Sequence, residues 1–386
     1  MNDWFNLLGP AKIVSNIIAG FREGQSFVLQ LPLNTHAGLM EAVAQAARFN
    51  DLYCDFIHPE PSLEPIEFLY DRFHPDGRAI TEDVMLRELY DQPDFQGKVL
   101  IIKVLHETQI PEWVSFLERF AHYSRNNVSQ FLRTEFMLSV VSDRCPLVRQ
   151  SDPLLVNLIV DGIVQKCDAV YYAHLQLARQ GQRSPEKTQL HAEAAAALAL
   201  WDFRLCEILC RASLSHLLDF CDTGYRHESI VYTTLLNYAQ ESGWREINEN
   251  SGDEELWRAG ILHGFENRLE EHSAWLAMKE CTEKLCQRVW TAQVTALFPI
   301  LEKYRRQYID RYHDLLTDDQ TAYNGQTFDC AIEDLEIRQI WHQLRNHQKM
   351  PEQSRKHLAV LRNVRNDLAH GKVVSSDDVN TLLWAV

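Results

Sequence analysis

The 386-residue chain has no uncharged apolar run of the roughly 18 residues that a membrane-spanning helix requires, which argues against a membrane span. Its start, Met1-Asn2-Asp3-Trp4, has neither the basic opening nor the apolar stretch of a secretory leader, so the expected location is cytoplasmic. Nine cysteines at 54, 145, 167, 206, 210, 221, 281, 286 and 330 lack the tight repeated pairs of a zinc site. Cys206 and Cys210 share a helix face, but His216 and Cys221 complete no ligand spacing. Buried, reduced thiols and no metal are therefore expected. No Ser-His-Asp or Cys-His order stands out, and no paired-acid nuclease site with a lysine can be assembled. Positive charge is scarce too: 38 Lys and Arg face 54 Asp and Glu, a formal net charge of -16, which excludes diffuse nucleic-acid binding over the whole surface.

The scarcity is uneven. Between Arg338 and Lys372 stand eight basic residues (338, 345, 349, 355, 356, 362, 365, 372) against Glu352 and Asp367, a local net charge of +6. The composition, 46% hydrophobic and 24% charged, is that of a globular protein, and the length predicts two or three domains. Ser26 to Leu31 reads as a strand, Thr35 to Ala47 as a helix capped by Asn34 or Thr35, and Leu52 to Ile57 as a second strand. Helices follow at Ile66 to Phe73 and after Thr81. Val99 to Leu105 is a nearly continuous apolar run suited to a strand covered on both faces. A helix over Ile110 to Ser124 and a strand over Glu135 to Val141 complete an alternation that predicts a mostly parallel sheet. His106 and Glu107 stand at the strand end where α/β proteins bind ligands, or else in a solvated loop.

This order resembles a P-loop NTPase core. The resemblance places the phosphate loop at Pro32-Leu33-Asn34-Thr35-His36-Ala37-Gly38, which has one glycine and no lysine, and whose Pro32 has no N–H to offer a phosphate. The magnesium-holding acid expected at the end of the 99–105 strand is also missing. The expectation is a degenerate P-loop-like domain over 1–148 that does not hydrolyse nucleotide conventionally, with no cofactor.

A helical, lid-like middle region is expected over 149–256. Leu154 to Arg179 reads as one long helical pattern and Lys187 to Phe220 as an alanine- and leucine-rich helical stretch. Trp201-Asp202 and the tryptophans at 113, 244, 257 and 275 read as core or interface anchors, and the acidic stretch 246–255 as a linker or surface loop. Over 257–386 the pattern predicts helices at Phe265 to Arg288, at Trp290 to Leu316 with a break near Pro299, at Ile332 to Leu344, and at Pro351 to Ala369 stopped by Gly371. A short helix capped by Ser375 or Ser376 ends the bundle, with Val379, Leu382 and Leu383 inward.

The last long helix ends in Arg365-Asn366-Asp367-Leu368-Ala369-His370, an arginine-to-histidine spacing that resembles the motif of the HEPN superfamily of RNA-cutting and nucleotide-binding helical domains. Trp290-Thr291-Ala292-Gln293, Leu297 to Arg305 and Asp334 to Ile337 look like matching segments of such bundles. The resemblance covers roughly 265–386. It implies Arg365, His370 and Asn366 as catalytic residues. Arg362, Lys372, Arg355 and Lys356 become candidate RNA or phosphate contacts, and Glu302, Arg305 and Glu336 a structural network.

Metal-independent RNA cleavage needs a group that moves protons near neutral pH and a fixed cation on the phosphoryl oxygens, which His and Arg supply. Five residues put Arg365 and His370 about 140° apart on a helix. They converge through a wrapped arginine, a distorted helix end or, as the family resemblance implies, a second bundle. Asn366 and His370 are i,i+4 neighbours. Two other accounts stand beside this one. The segment is a noncatalytic nucleotide- or RNA-binding face, or His370 closes the helix end while Arg365 pairs with Glu336 or Glu302. The resemblance further implies a homo-oligomer or a protein partner in a multicomponent bacterial conflict or antiphage system, with RNA as target. A noncatalytic adaptor in a nucleic-acid-associated assembly is the alternative.

Overall fold

The computed structural model describes residues 3–33, 38–74, 81–103, 107–142, 146–149, 152–181, 184–221, 229–248, 250–321, 327–329 and 331–384. An α/β region is followed by a helical region and a C-terminal helical bundle. The chain divides into two compact units, residues 1–168 with 247–271 and residues 169–246 with 272–386.

The first unit begins α1 (Leu8–Arg22), β1 (Ser26–Leu31), α2 (Leu39–Phe49), β2 (Tyr53–Ile57), α3 (Pro65–Phe73) and α4 (Glu82–Tyr90). It continues through β3 (Lys98–Ile102), α5 (Ile110–Asn127), β4 (Glu135–Val141) and β5 (Leu155–Ile159). The five strands are parallel in the order β2-β3-β4-β1-β5. Apolar side chains leave both faces of the inner strands, so both faces must be covered. On one, Val28, Leu100, Phe136 and Leu138 join Trp113, Phe116 and Phe120 of α5 in a core where Phe120 meets Phe136 edge-on at 4.9 Å. On the other, Phe27 meets Phe21 of α1 edge-on at 5.4 Å.

Gln30 is the most deeply buried polar exception among the described residues of this sheet. It is fully buried in β1 and donates to Ser142 Oγ at 2.7 Å, while its Oε1 accepts from Asn157 Nδ2 at 2.7 Å and from the Leu147 N–H at 3.3 Å. Asn157 Oδ1 accepts from the Leu147 and Val148 N–H groups. Two side chains of the sheet thus satisfy the backbone of a segment that follows β4, as buried polar groups require.

The second unit opens with α6 (Lys166–Arg179), which starts at the boundary, and then has α7 (Pro185–Ala199), α8 (Phe203–Arg211), α9 (Leu214–Asp219) and α10 (Ile230–Glu241). The chain rejoins the first unit at 247, inside the acidic stretch, for α11 (Asp253–Arg258) and the hairpin β6 (Leu262–Phe265) and β7 (Arg268–Glu271). There Asp161 lies 2.5 Å from buried His263 Nδ1 and accepts from the Gly264 N–H. The bundle resumes with α12 (Ser273–Met278) and α13 (Thr282–Tyr312). A small hairpin, β8 (Asp319–Thr321) and β9 (Thr327–Asp329), precedes α14 (Ile337–Leu344), α15 (Glu352–Ala369) and α16 (Ser376–Trp384). Alanine-rich α7 packs along α13, and its small side chains are almost all buried.

Three expected elements are corrected. Leu154 to Arg179 is not one helix but β5 followed by α6, with Gly162 at φ +65° between them. A short apolar run has no period that separates a buried strand from a buried helix. Phe265 to Arg288 is not one helix either. Glu266 and Asn267 both adopt positive φ, the conformation of a two-residue hairpin turn that fits the twist of β6 and β7, and helix begins only at Ser273. Pro299 does not interrupt α13. It removes the bond to the Thr295 carbonyl, but both residues lie on the exposed face, where solvent meets that carbonyl. Of the residues placed at the phosphate loop and strand end, 34–37 and 104–106 lie outside the described residues. Cys206 and Cys210 are buried free thiols; the hydrogen bond between them and burial push the Cys206 thiol well up.

His357 joins α13, α15 and α16. Its Nε2 faces the Leu382 carbonyl at 3.1 Å, its Nδ1 faces Tyr308 Oη at 3.0 Å, and its ring stacks on Tyr308 and meets Tyr304 edge-on. The carbonyl fixes the proton on Nε2 in the neutral ring. Burial holds its pKa below the ordinary histidine value, and His191 shifts the same way for the same cause. A depressed histidine pKa means that the unfolded chain takes the proton first. The stability it contributes is complete above about pH 6.5 and is lost as pH falls through the depressed folded value. Urea unfolding followed by tryptophan fluorescence is expected to show lower stability at about pH 5 than at about pH 7.5, with a smaller difference in His357→Phe. An equal pH difference in both proteins contradicts the assignment.

Candidate nucleic-acid interface on the C-terminal bundle

Helix α15 buries Leu358, Leu361, Val364 and Leu368 and turns the motif residues to its other sides. It stops at a glycine cap. Gly371 takes φ +74°, its N–H donates to the Leu368 carbonyl, and the Lys372 N–H donates to the Asp367 carbonyl at 2.9 Å. Two residues one turn apart on α13 fix this end. Trp290 Nε1 donates to the Leu368 carbonyl at 2.8 Å. Gln293, fully buried, donates through Nε2 to the Val374 carbonyl at 2.7 Å and accepts the Val374 N–H at 2.8 Å. Both backbone groups of Val374 are thereby satisfied by one side chain.

His370 is the last residue of this helix end. Its backbone N–H donates to the Asn366 and Asp367 carbonyls, while its ring is exposed and has no hydrogen-bond partner among the described residues. Asn366 stands one turn before it, half-buried. Arg365 is turned away toward α14, where its Nη2 lies 3.0 Å from Glu336 Oε2. Glu336 also closes the capping box of α14 with Gln339. The segment before Glu336 is held in turn. Arg305 donates to the Glu333 and Leu335 carbonyls and forks onto Glu302, which also takes Arg306. The two guanidinium groups, Arg305 foremost, pull the Glu302 carboxyl down to about 2. The Glu302–Arg305 pair braces the turn that presents Glu336, and Glu336 holds Arg365.

The basic candidates separate into two ends of α15. Arg355 and Lys356 sit in its first turns, with Lys356 paired to Glu352 at 2.8 Å and Arg355 half-buried. Arg362 lies about 10 Å farther along the axis, and exposed Lys372 beyond the cap. Arg362 rests on the Trp341 ring at 3.8 Å and donates through Nε and Nη2 to Asn363 Oδ1. Arg345, the C-cap of the helix that carries Trp341, lies over that ring at 4.8 Å. Slight burial and the charges of Arg345, Arg338 and Arg362 lower the pKa of His342. Sequence reasoning named neither Trp341 nor His342. The spacing 338, 342, 345 puts three of these groups on one face of α14 and was available as a signal.

Among the described residues no cluster of three His, Cys, Asp or Glu side chains is placed to hold a metal ion, and no helix is long and apolar enough to cross a membrane. No protein-family model matches the chain, and no curated protein matches it.

Replacing Gln293 with Leu leaves the buried N–H and C=O of Val374 without partners. The expected loss is about 2–4 kcal/mol in urea unfolding, with His370 and its neighbours exchanging amide protons faster. Exchange as slow as in the unaltered protein refutes the clamp.

Proposed function

We propose that the C-terminal bundle is a HEPN-type, metal-independent endoribonuclease that becomes competent when two bundles pair. The P-loop-like N-terminal unit then serves as a partner-responsive scaffold, not an energy converter, in the manner of bacterial conflict or antiphage modules. The observation that carries this reading is the exposed imidazole of His370, without a hydrogen-bond partner among the described residues, at a closed helix end five residues from Arg365.

In the reaction the RNA 2′-hydroxyl attacks the neighbouring phosphorus. The O2′–P bond forms, the P–O5′ bond breaks, and a 2′,3′-cyclic phosphate and a 5′-hydroxyl end result. His370 takes the 2′-hydroxyl proton, a second proton reaches O5′ as it leaves, and Arg365 neutralises the charge on the phosphoryl oxygens. Asn366 orients the imidazole or the phosphate. One chain does not aim Arg365 and His370 at a common point, because Arg365 is drawn to Glu336. A twofold-related copy supplies the complementary residue, since a symmetric interface repeats each contact with the roles exchanged. A noncatalytic adaptor is the second reading. It is favoured by the same Arg365–Glu336 pair and by the Gln30–Asn157 network, which ties backbone against the sheet of the first unit.

The test is cleavage of a mixed pool of structured and single-stranded RNA in EDTA. The unaltered protein is expected to cut and His370→Ala to cut about 100-fold more slowly or worse, at equal oligomeric state. Cleavage that is indifferent to His370, or that needs an added divalent ion, contradicts the reading.

A further inference from the structure

Several cations of the second unit have an acid beside them. Arg204 meets Glu241, Arg305 and Arg306 share Glu302, Lys356 meets Glu352, and Arg365 meets Glu336. Arg345 and Arg362 depart from this pattern. Both lie over the single indole of Trp341, and neither has a carboxylate partner among the described residues. In a chain with 54 acids and a net charge of -16, two guanidinium groups gathered on one ring without a counter-charge mark a place that a polyanion fits. Their geometry is already set. Asn363 accepts from both Nε and Nη2 of Arg362, which holds that fork over the indole and leaves Nη1 without a partner among the described residues. A pre-placed fork loses less freedom on binding than a mobile one.

We propose that the face formed by Trp341, His342, Arg345 and Arg362 binds single-stranded RNA and leads it to the end of α15, an inference that rests on the RNA-cutting reading of that helix. Cations interleaved with flat rings are the recognition chemistry of unpaired nucleic acid: guanidinium groups take phosphates, the exposed His342 ring offers a surface on which a base stacks, and Trp341 seats both arginines. A strand bound here has a direct course to the motif, because Arg365 stands one turn, about 5 Å, beyond Arg362 on the same helix. An acidic protein segment would satisfy the charges but make no use of the aromatic platform.

The experiment titrates the full chain with a fluorescein-labelled 2′-O-methyl oligouridine, whose blocked 2′-oxygen cannot attack, and reads anisotropy at several salt concentrations. Arg345→Ala and Arg362→Gln are each expected to weaken binding about fivefold and to lower the salt slope by about one. Trp341→Leu is expected to weaken it about fivefold or more, because it removes the ring that seats both arginines. Arg345→Lys, which keeps the charge, is expected to retain most of the affinity and so separates contact from folding. Binding that is unchanged in all three weakening variants overturns the proposal. So does equal displacement of the probe by polyglutamate, which assigns the face to an acidic protein partner. The two readings fail separately: RNA bound through these residues but never cut sinks the nuclease alone, and cutting with binding indifferent to Arg345 and Arg362 sinks this face alone.

Discussion

The C-terminal site depends on the amide of Gln293, buried on α13 and bonded in both directions to the backbone of Val374. A chain leaving a helix normally satisfies its polar groups with water. Here the turn after α15 is satisfied from inside the bundle, so its path is fixed to that of α13. Trp290, one turn earlier, fixes the Leu368 carbonyl from the same helix. Arg305, three turns later, fixes the turn before α14 through the Glu333 and Leu335 carbonyls. One long helix therefore sets the backbone at the end of one motif-bearing element and at the start of the other. This is why an uninterrupted α13 matters, and why Pro299 sits on its exposed side.

On that frame, charge is sorted rather than balanced. Glu302 and Glu336 neutralise arginines that hold helices together, and the strongly depressed Glu302 carboxyl reflects how closely Arg305 is held. Arg345 and Arg362 are left to each other and to Trp341. The cost of bringing two like charges to one ring is met by the ring's quadrupole and by Asn363, whose oxygen accepts from Arg362. In the first unit the sorting is of polar groups. Gln30 and Asn157 bond each other, and between them they take up the Leu147 and Val148 amides.

Elements with one dominant physical cause were legible in the sequence. β1 and β4 follow from apolar runs covered on both faces, and the end of α15 from the glycine that only a left-handed cap requires. The basic segment and its motif were visible as charge counts and spacing. Features made by distant residues were not. β5 has the apolar content of a helix turn, and only its pairing with β1 makes it a strand. The β6–β7 turn rests on two non-glycine residues at positive φ, which composition conceals. Glu336 and Glu302 were both plausible partners of Arg365, and geometry selects Glu336. The Trp341 platform needed Arg362 from another helix, and the Gln293 clamp spans 81 positions, so neither leaves a local trace.

On the proposed nuclease reading, the separation of Arg365 from His370 around the helix makes a second copy part of the site. The most direct measurement is to mix Arg365→Ala chains with His370→Ala chains, each inactive alone, under conditions where mixed pairs form, and to assay RNA cleavage in EDTA. A cleft shared between copies predicts that activity returns in the mixture, because a mixed pair joins the intact Arg365 of one chain to the intact His370 of the other. A mixture as inactive as its components, with mixed pairs present, contradicts the shared cleft.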